Sequence, residues 1–173
     1  MNKRVLVVDD DQSVRESLKR VLQGAGYEVV LAAGGLEALV RFDPEQIDLL
    51  LLDLSLPNQS GWDVFERVTA RCACVPVIII TGLPDQYRTA VAAGVGALFE
   101  KPVEVTALLT AMEELLAEPR EVRVRRLGGY LHDTRHVPPA GAPAGVHQAR
   151  TLQKAAPARL GFGPGARRKG VMS

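Results

Sequence analysis

Histidine, cysteine and aromatic side chains are all scarce in this chain, and each scarcity removes a class of chemistry. The two cysteines, Cys72 and Cys74, stand one residue apart. Such a pair closes no useful disulfide loop, so reduced thiols in a reducing cytoplasm are expected. Residues 1–118 contain no histidine, which denies the thiols the further ligands a zinc site needs. It also leaves no imidazole to act as a strong base. Aromatics make up 5% of the chain; Trp62 and Tyr87 stand apart and read as local packing. No apolar run approaches the roughly 18 residues that span a bilayer. The apolar stretch after Met1-Asn2-Lys3-Arg4 runs straight into acids, too short for a signal-peptide core. Gly34-Gly35 lacks the GxGxxG setting of a phosphate loop and reads as a turn.

What the chain does have is an uneven distribution of charge. Of its 21 Lys and Arg, 11 lie in residues 119–173, but only 2 of the 20 Asp and Glu do. The first 118 residues therefore carry a net charge of about −8 and the remainder about +9, a split that marks two different segments. Residues 119–173 also hold 8 Gly and 6 Pro, near the level at which a disordered reading prevails. Two regions are expected: a folded domain over 1–118, and a basic, Gly/Pro/Arg/Ala-rich disordered tail over 119–173. Within that tail, Glu121 to Leu127 alternates enough to suggest a stray strand.

Along the first region, short apolar runs alternate with helical patterns. Strands are expected at Arg4–Val8, Glu28–Ala32, Leu49–Leu52, Val77–Ile80 and Ala97–Glu100. Helices are expected over Ser13–Gln23, Leu36–Phe42, Asp63–Arg71, Asp85–Ala93 and Val105–Leu116. In the first helix Val14, Leu18, Val21 and Leu22 recur at helical spacing. The continuous Leu49 to Leu52 run is the mark of a strand covered on both faces. Such alternation calls for a doubly wound, five-stranded parallel α/β sheet, taken here in the flavodoxin-like order 2-1-3-4-5.

The strand ends carry the chemistry. Ligands of an open α/β sheet bind beyond the carboxyl ends of its strands, where the strand order reverses. The first strand ends in Asp9, Asp10 and Asp11, the third in Asp53, the fourth in Thr81 and the fifth in Lys101. Clustered carboxylates repel one another, and a hard cation relieves that cost. Mg²⁺ suits such a site because it takes one or two carboxylates, several waters and a phosphate. Thr81 offers a hydroxyl and Lys101 a point charge to a phosphoryl group. A central aspartate can itself be the nucleophile. Asp11 reads as a cap of the first helix.

These residues resemble the receiver domains of two-component signalling (CheY-like response regulators). The likeness rests on Val7-Val8-Asp9-Asp10-Asp11, Leu52-Asp53-Leu54-Ser55-Leu56-Pro57 with Gly61, Ile80-Thr81-Gly82 and Glu100-Lys101-Pro102, and it covers roughly residues 3–117. The likeness implies the same strand order, 2-1-3-4-5. The resemblance implies a phosphorelay domain that takes a phosphoryl group from a sensor histidine kinase or a histidine phosphotransfer protein. In it Asp53 is the phosphoacceptor, and Asp9, Asp10, Asp53 and the backbone carbonyl of Ser55 hold Mg²⁺. Thr81 and Lys101 attend the phosphoryl group, and a cis Lys101-Pro102 bond is in keeping. Ser55 and Leu83 take the positions that orient the attacking water in dephosphorylation. Such a domain is a phosphorylated signalling switch rather than an enzyme.

One departure stands out. The family usually places Tyr or Phe three residues before the lysine, and here that switch position is Leu98. Phosphorylation is therefore expected to drive only weak homodimerisation through the surface of the fourth helix, fifth strand and fifth helix. The alternative is a haloacid-dehalogenase-type phosphatase with Asp9 as nucleophile, but that family's second acidic motif follows its lysine, and no strand-end acid follows Lys101. The tail's charge would attract nucleic acid, yet no DNA-binding domain or membrane segment is recognisable, and the downstream target is not named by the sequence.

Overall fold

The computed structural model describes residues 2–141. Within them lie β1 (Arg4–Val8), α1 (Gln12–Gly24), β2 (Glu28–Ala32), α2 (Gly35–Arg41), β3 (Leu49–Leu52) and α3 (Gly61–Arg71), followed by β4 (Val77–Thr81), α4 (Tyr87–Ala93), β5 (Ala97–Glu100), α5 (Val105–Ala117), α6 (Arg120–Leu127) and β6 (Arg135–Val137). The strands form one parallel sheet in the order β2-β1-β3-β4-β5-β6. Among the described residues no helix is long and apolar enough to cross a membrane.

Strand alternation divides the core into two layers. Leu6, Val8, Leu50, Leu52, Ile79 and Leu98 pack on one face with Ala38 of α2, Val64 and Val68 of α3 and Ala90 of α4. Val5, Val7, Leu49, Leu51, Ile78 and Phe99 pack on the other with Leu22 of α1 and Leu108, Met112 and Leu115 of α5. Every residue of β3 is buried, as expected of a central strand with helices on both faces. The helix starts are set locally. Asp11 caps α1 by accepting from Ser13 N (2.7 Å) and Val14 N (3.3 Å), Ser60 caps α3 through Trp62 N (3.2 Å), and Glu104 caps α5. Such caps satisfy the free N–H groups of the first turn. Asp85 has a positive φ of 57°, and α4 begins two residues later, at Tyr87, than the sequence pattern suggests.

The C-terminal boundary needs correcting. The sheet has six strands, not five, and residues 119–141, expected to be disordered, carry a helix and a strand. Glu121 to Leu127, read from sequence as a stray strand, lies in α6. Polar anchors hold it. Arg123 Nη2 donates to the carbonyls of Leu115 (2.7 Å), Leu116 (3.2 Å) and Glu118 (2.6 Å) at the end of α5, and its Nη1 to Cys74 O (2.9 Å). Arg126 is 4% exposed, forked onto the Glu118 carboxylate and bonded through Nε to Asp133 Oδ1 at 2.6 Å. α6 also approaches the α4–β5 turn so closely that a Cβ on Gly94 would stand 2.5 Å from Arg126 O. Residues 142–173, the rest of the expected tail, lie outside the described residues.

Candidate functional site

The ladder hydrogen bonds of the sheet carry the site residues past its carboxyl edge. Asp9 N donates to Ala32 O (3.2 Å), Asp53 N to Val8 O (2.9 Å) and Lys101 N to Thr81 O (2.9 Å). β1 and β3 are neighbours, so the acids at their ends meet, with Thr81 of β4 alongside. One carboxylate oxygen each of Asp9, Asp10 and Asp53 lies within 4.8 Å of the others. Asp9 and Asp53 are buried, at 2% and 3% exposure, and Asp10 is exposed.

Lys101 supplies the counter-charge. Its Nζ lies 2.6 Å from Asp53 Oδ2 and 2.7 Å from Asp9 Oδ2. Burial pushes the Asp9 carboxyl above its ordinary range, although the Lys101 bond and the amide of Asp11 oppose the rise. Burial alone would lower the Lys101 pKa, but the bonds and charges of Asp53 and Asp9 outweigh it and hold the ammonium above its usual value. A buried pair of acids thus shares one lysine, and the arrangement has room for more positive charge.

The loop beyond β3 is tied to its aspartate. Ser55 N donates to Asp53 Oδ1 at 2.9 Å, and Gly61 N closes the loop onto Leu54 O at 3.1 Å. Thr81 is fully buried at the end of β4, its Oγ1 accepting from Leu83 N at 3.1 Å. The Lys101-Pro102 peptide is cis. Leu98 is not at the acid cluster; it lies in the core, with Phe99 on the opposite face. Arg15, not singled out from sequence, donates from Nη1 to Asp9 O at 2.7 Å. A long cation about one turn into α1, facing back toward the strand end, was the only available signal. Trp62 and Tyr87 pack locally as expected: Trp62 meets Phe65 edge-on and donates to Gln86, while Tyr87 stacks on His136.

Residues 5–113 match the response regulator receiver domain family. The chain belongs to that family. Among its relatives, the response regulator MprA of Mycobacterium tuberculosis is 38% identical over 119 residues, covering 67% of this chain and 51% of the relative. This receiver chain thus spans about half the length of the curated relatives it matches. A CheY-like receiver domain protein from Methanospirillum hungatei is 33% identical with a TM-score of 0.65, covering 70% of this chain and 98% of the other. TrrA of Thermotoga maritima, solved in complex with Mg²⁺ and BeF, is 32% identical with a TM-score of 0.60, covering 65% and 98%. The chain is therefore a receiver domain of the two-component type, a signalling domain, and the phosphatase alternative finds no support.

Proposed function

We propose that this receiver takes a phosphoryl group onto Asp53 from a sensor histidine kinase or histidine phosphotransfer protein, and passes the change of state to a downstream protein. The observation that carries the proposal is the pairing of Lys101 Nζ with both Asp53 and Asp9 at 2.6 and 2.7 Å. That cation is poised to follow a phosphoryl oxygen once Asp53 bears one. The Asp53 carboxylate attacks phosphorus, the bond from phosphorus to the donor imidazole breaks, and the imidazole leaves. Arg15 and the Asp11 amide fix Asp9 from its carbonyl and carboxylate sides. Ser55 N holds the other Asp53 oxygen, leaving the Lys101 side as the natural nucleophilic face. Thr81, whose Oγ1 accepts from Leu83 N, keeps its hydroxyl proton to offer the incoming group.

The donor set suits Mg²⁺: three carboxylates with oxygens in reach of one centre, two of them buried against a single ammonium. Asp9, Asp10, Asp53 and the Ser55 carbonyl would hold it, and Mg²⁺ there would neutralise charge on the transferred group. We place the domain in the cytoplasm, in keeping with its free thiols. The test is intact-mass measurement after incubation with Mg²⁺ and acetyl phosphate. One phosphoryl group is expected, lost in Asp53→Asn and on chelation of the metal. Normal labelling of Asp53→Asn would overturn the assignment, and a label mapped to Asp9 would favour the phosphatase arrangement.

A further inference from the structure

The segment after α6 runs beside the strand that carries Lys101. Thr134 Oγ1 donates to Val95 O at 2.7 Å, and Arg135 N donates to Gly96 O at 3.1 Å. β6 then registers Arg135, His136 and Val137 against Ala97, Leu98 and Phe99. His136 Nε2 lies 2.8 Å from Glu100 Oε1, and Ala140 N donates to Pro102 O at 2.8 Å. Lys101 is therefore bracketed. Both of its chain neighbours are bonded to this segment, while its own Nζ reaches Asp53 and Asp9.

The two parts of the extension are held differently. α6 is anchored by the buried Arg126, by Arg123 on the end of α5, and by Leu127 against the core. Beyond it come Gly128, Gly129 at a φ of +73° and the exposed Tyr130. β6 is three half-buried residues. Its Arg135 pairs with Glu114 where both side chains are well exposed, at 39% and 62%, and such pairs hold weakly. His136 stacks on Tyr87 of α4 with ring centroids 4.9 Å apart. Thr134, just before β6, is buried and Val137 rests on the core, yet a three-residue edge strand opens at less than the cost of global unfolding. The anchor is firm and the strand it delivers is detachable.

We infer that residues 130–140 form a strap on β5, coupled to the phosphoacceptor site through Glu100, Lys101 and Pro102, so that phosphorylation of Asp53 loosens the strap and the seated strap opposes phosphorylation. This rests on the assignment of Asp53 above. Lys101 now bonds the Asp53 oxygen opposite the one held by Ser55 N. A phosphoryl group on that oxygen takes its place and draws the ammonium outward. Residues 100–102 carry the lysine, and the strap's bonds to Glu100 and Pro102 fit the position seen here. A ligand that favours one position of that turn must weaken whatever favours the other, and linkage makes the effect mutual.

The test is hydrogen exchange on the full chain with and without Mg²⁺ and beryllofluoride, a phosphoryl mimic whose binding is read separately by fluorine NMR. Binding is expected to speed exchange of the 134–140 amides about fivefold or more, with the β1 and β3 amides unmoved. His136→Ala, outside the acid cluster, is expected to bind beryllofluoride tighter by a similar factor. Bound mimic with unchanged or slower exchange at 134–140 overturns the strap and leaves the site standing, as does unaltered affinity in His136→Ala. Failure of the mimic to bind overturns the site assignment and the coupling with it.

Discussion

A Cβ placed on Gly61 would stand 2.3 Å from the carbonyl oxygen of Asp53 and 2.6 Å from the Cα of Leu54. The first residue of α3 is thus pressed against the backbone of the proposed phosphoacceptor, and both nearest atoms are main chain, which yields little. Gly61→Ala is expected to lose about 1–3 kcal/mol of stability, the usual cost of overpacking. It is also expected to slow acetyl phosphate labelling, because the loop that positions Ser55 N must shift. A denaturant midpoint and a labelling rate both at the wild-type value would mean the contact relaxes freely.

Leu83 governs a second expectation. Its amide bonds the Thr81 hydroxyl, and its apolar side chain is 41% exposed beside the site. It has no group to hold an attacking water, so Leu83→Glu is expected to shorten the life of the aspartyl phosphate by about tenfold, less than the roughly hundredfold at which full general-base assistance begins. Decay of the labelled mass with time reads this directly. A half-life equal to or longer than wild type would show that water is not oriented from this position.

The parts legible in sequence and the parts concealed differ in what holds them. The Leu49 to Leu52 and Val77 to Ile80 runs announce buried parallel strands by their side chains alone. The ends of β1, β3 and β5 brought Asp9, Asp53 and Lys101 with them. α6 and β6 were hidden because their burial is polar. Arg126 is buried through Glu118 and Asp133, and Arg123 through main-chain carbonyls. No hydrophobic period records such contacts. β6 is a three-residue Arg-His-Val strand, shorter than a pattern can mark. Arg15 was missed for a related reason, since it bonds the carbonyl of Asp9 and not a side chain.

The Arg126 anchor gives the fold an acid-sensitive contact. The hydrogen bond from Arg126 holds the Asp133 carboxyl below its ordinary 3.8, although partial burial opposes the shift. The folded state therefore binds fewer protons at Asp133 than the unfolded chain does. The stability it contributes is present above about pH 3.8 and is lost as pH falls through the lowered value. With the Asp133 side chain 52% exposed, the contribution is about 1 kcal/mol or less. Asp133→Asn is expected to unfold at lower urea than wild type at pH 7, the gap closing as pH falls through the lowered carboxyl range. A gap that is constant across this range would remove the charge from the explanation.

The last prediction concerns Leu98. Neighbouring residues of β5 face opposite ways: Leu98 packs with the α3 and α4 side of the sheet and Phe99 with α5. Phe99 therefore cannot supply the ring that receivers usually carry at position 98. Leu98 is fully buried, and β6 sets His136 in register beside it. In the unphosphorylated state the strand edge between α4 and α5 is thus paired within the chain, and a paired edge offers no template to a second copy. A phosphoryl mimic can shift association only by the difference in contact energy it creates between states, and an aliphatic side chain in a packed core creates little. Wild type is expected to stay largely monomeric in sedimentation with Mg²⁺ and beryllofluoride. Leu98→Tyr, whose ring and hydroxyl can turn outward, is expected to associate more than wild type under the same conditions. Its unfolding midpoint serves as the control for overpacking, which costs about 1–3 kcal/mol. Strong dimerisation of activated wild type, with nothing added by Leu98→Tyr, would show that neither the missing ring nor the paired edge limits association.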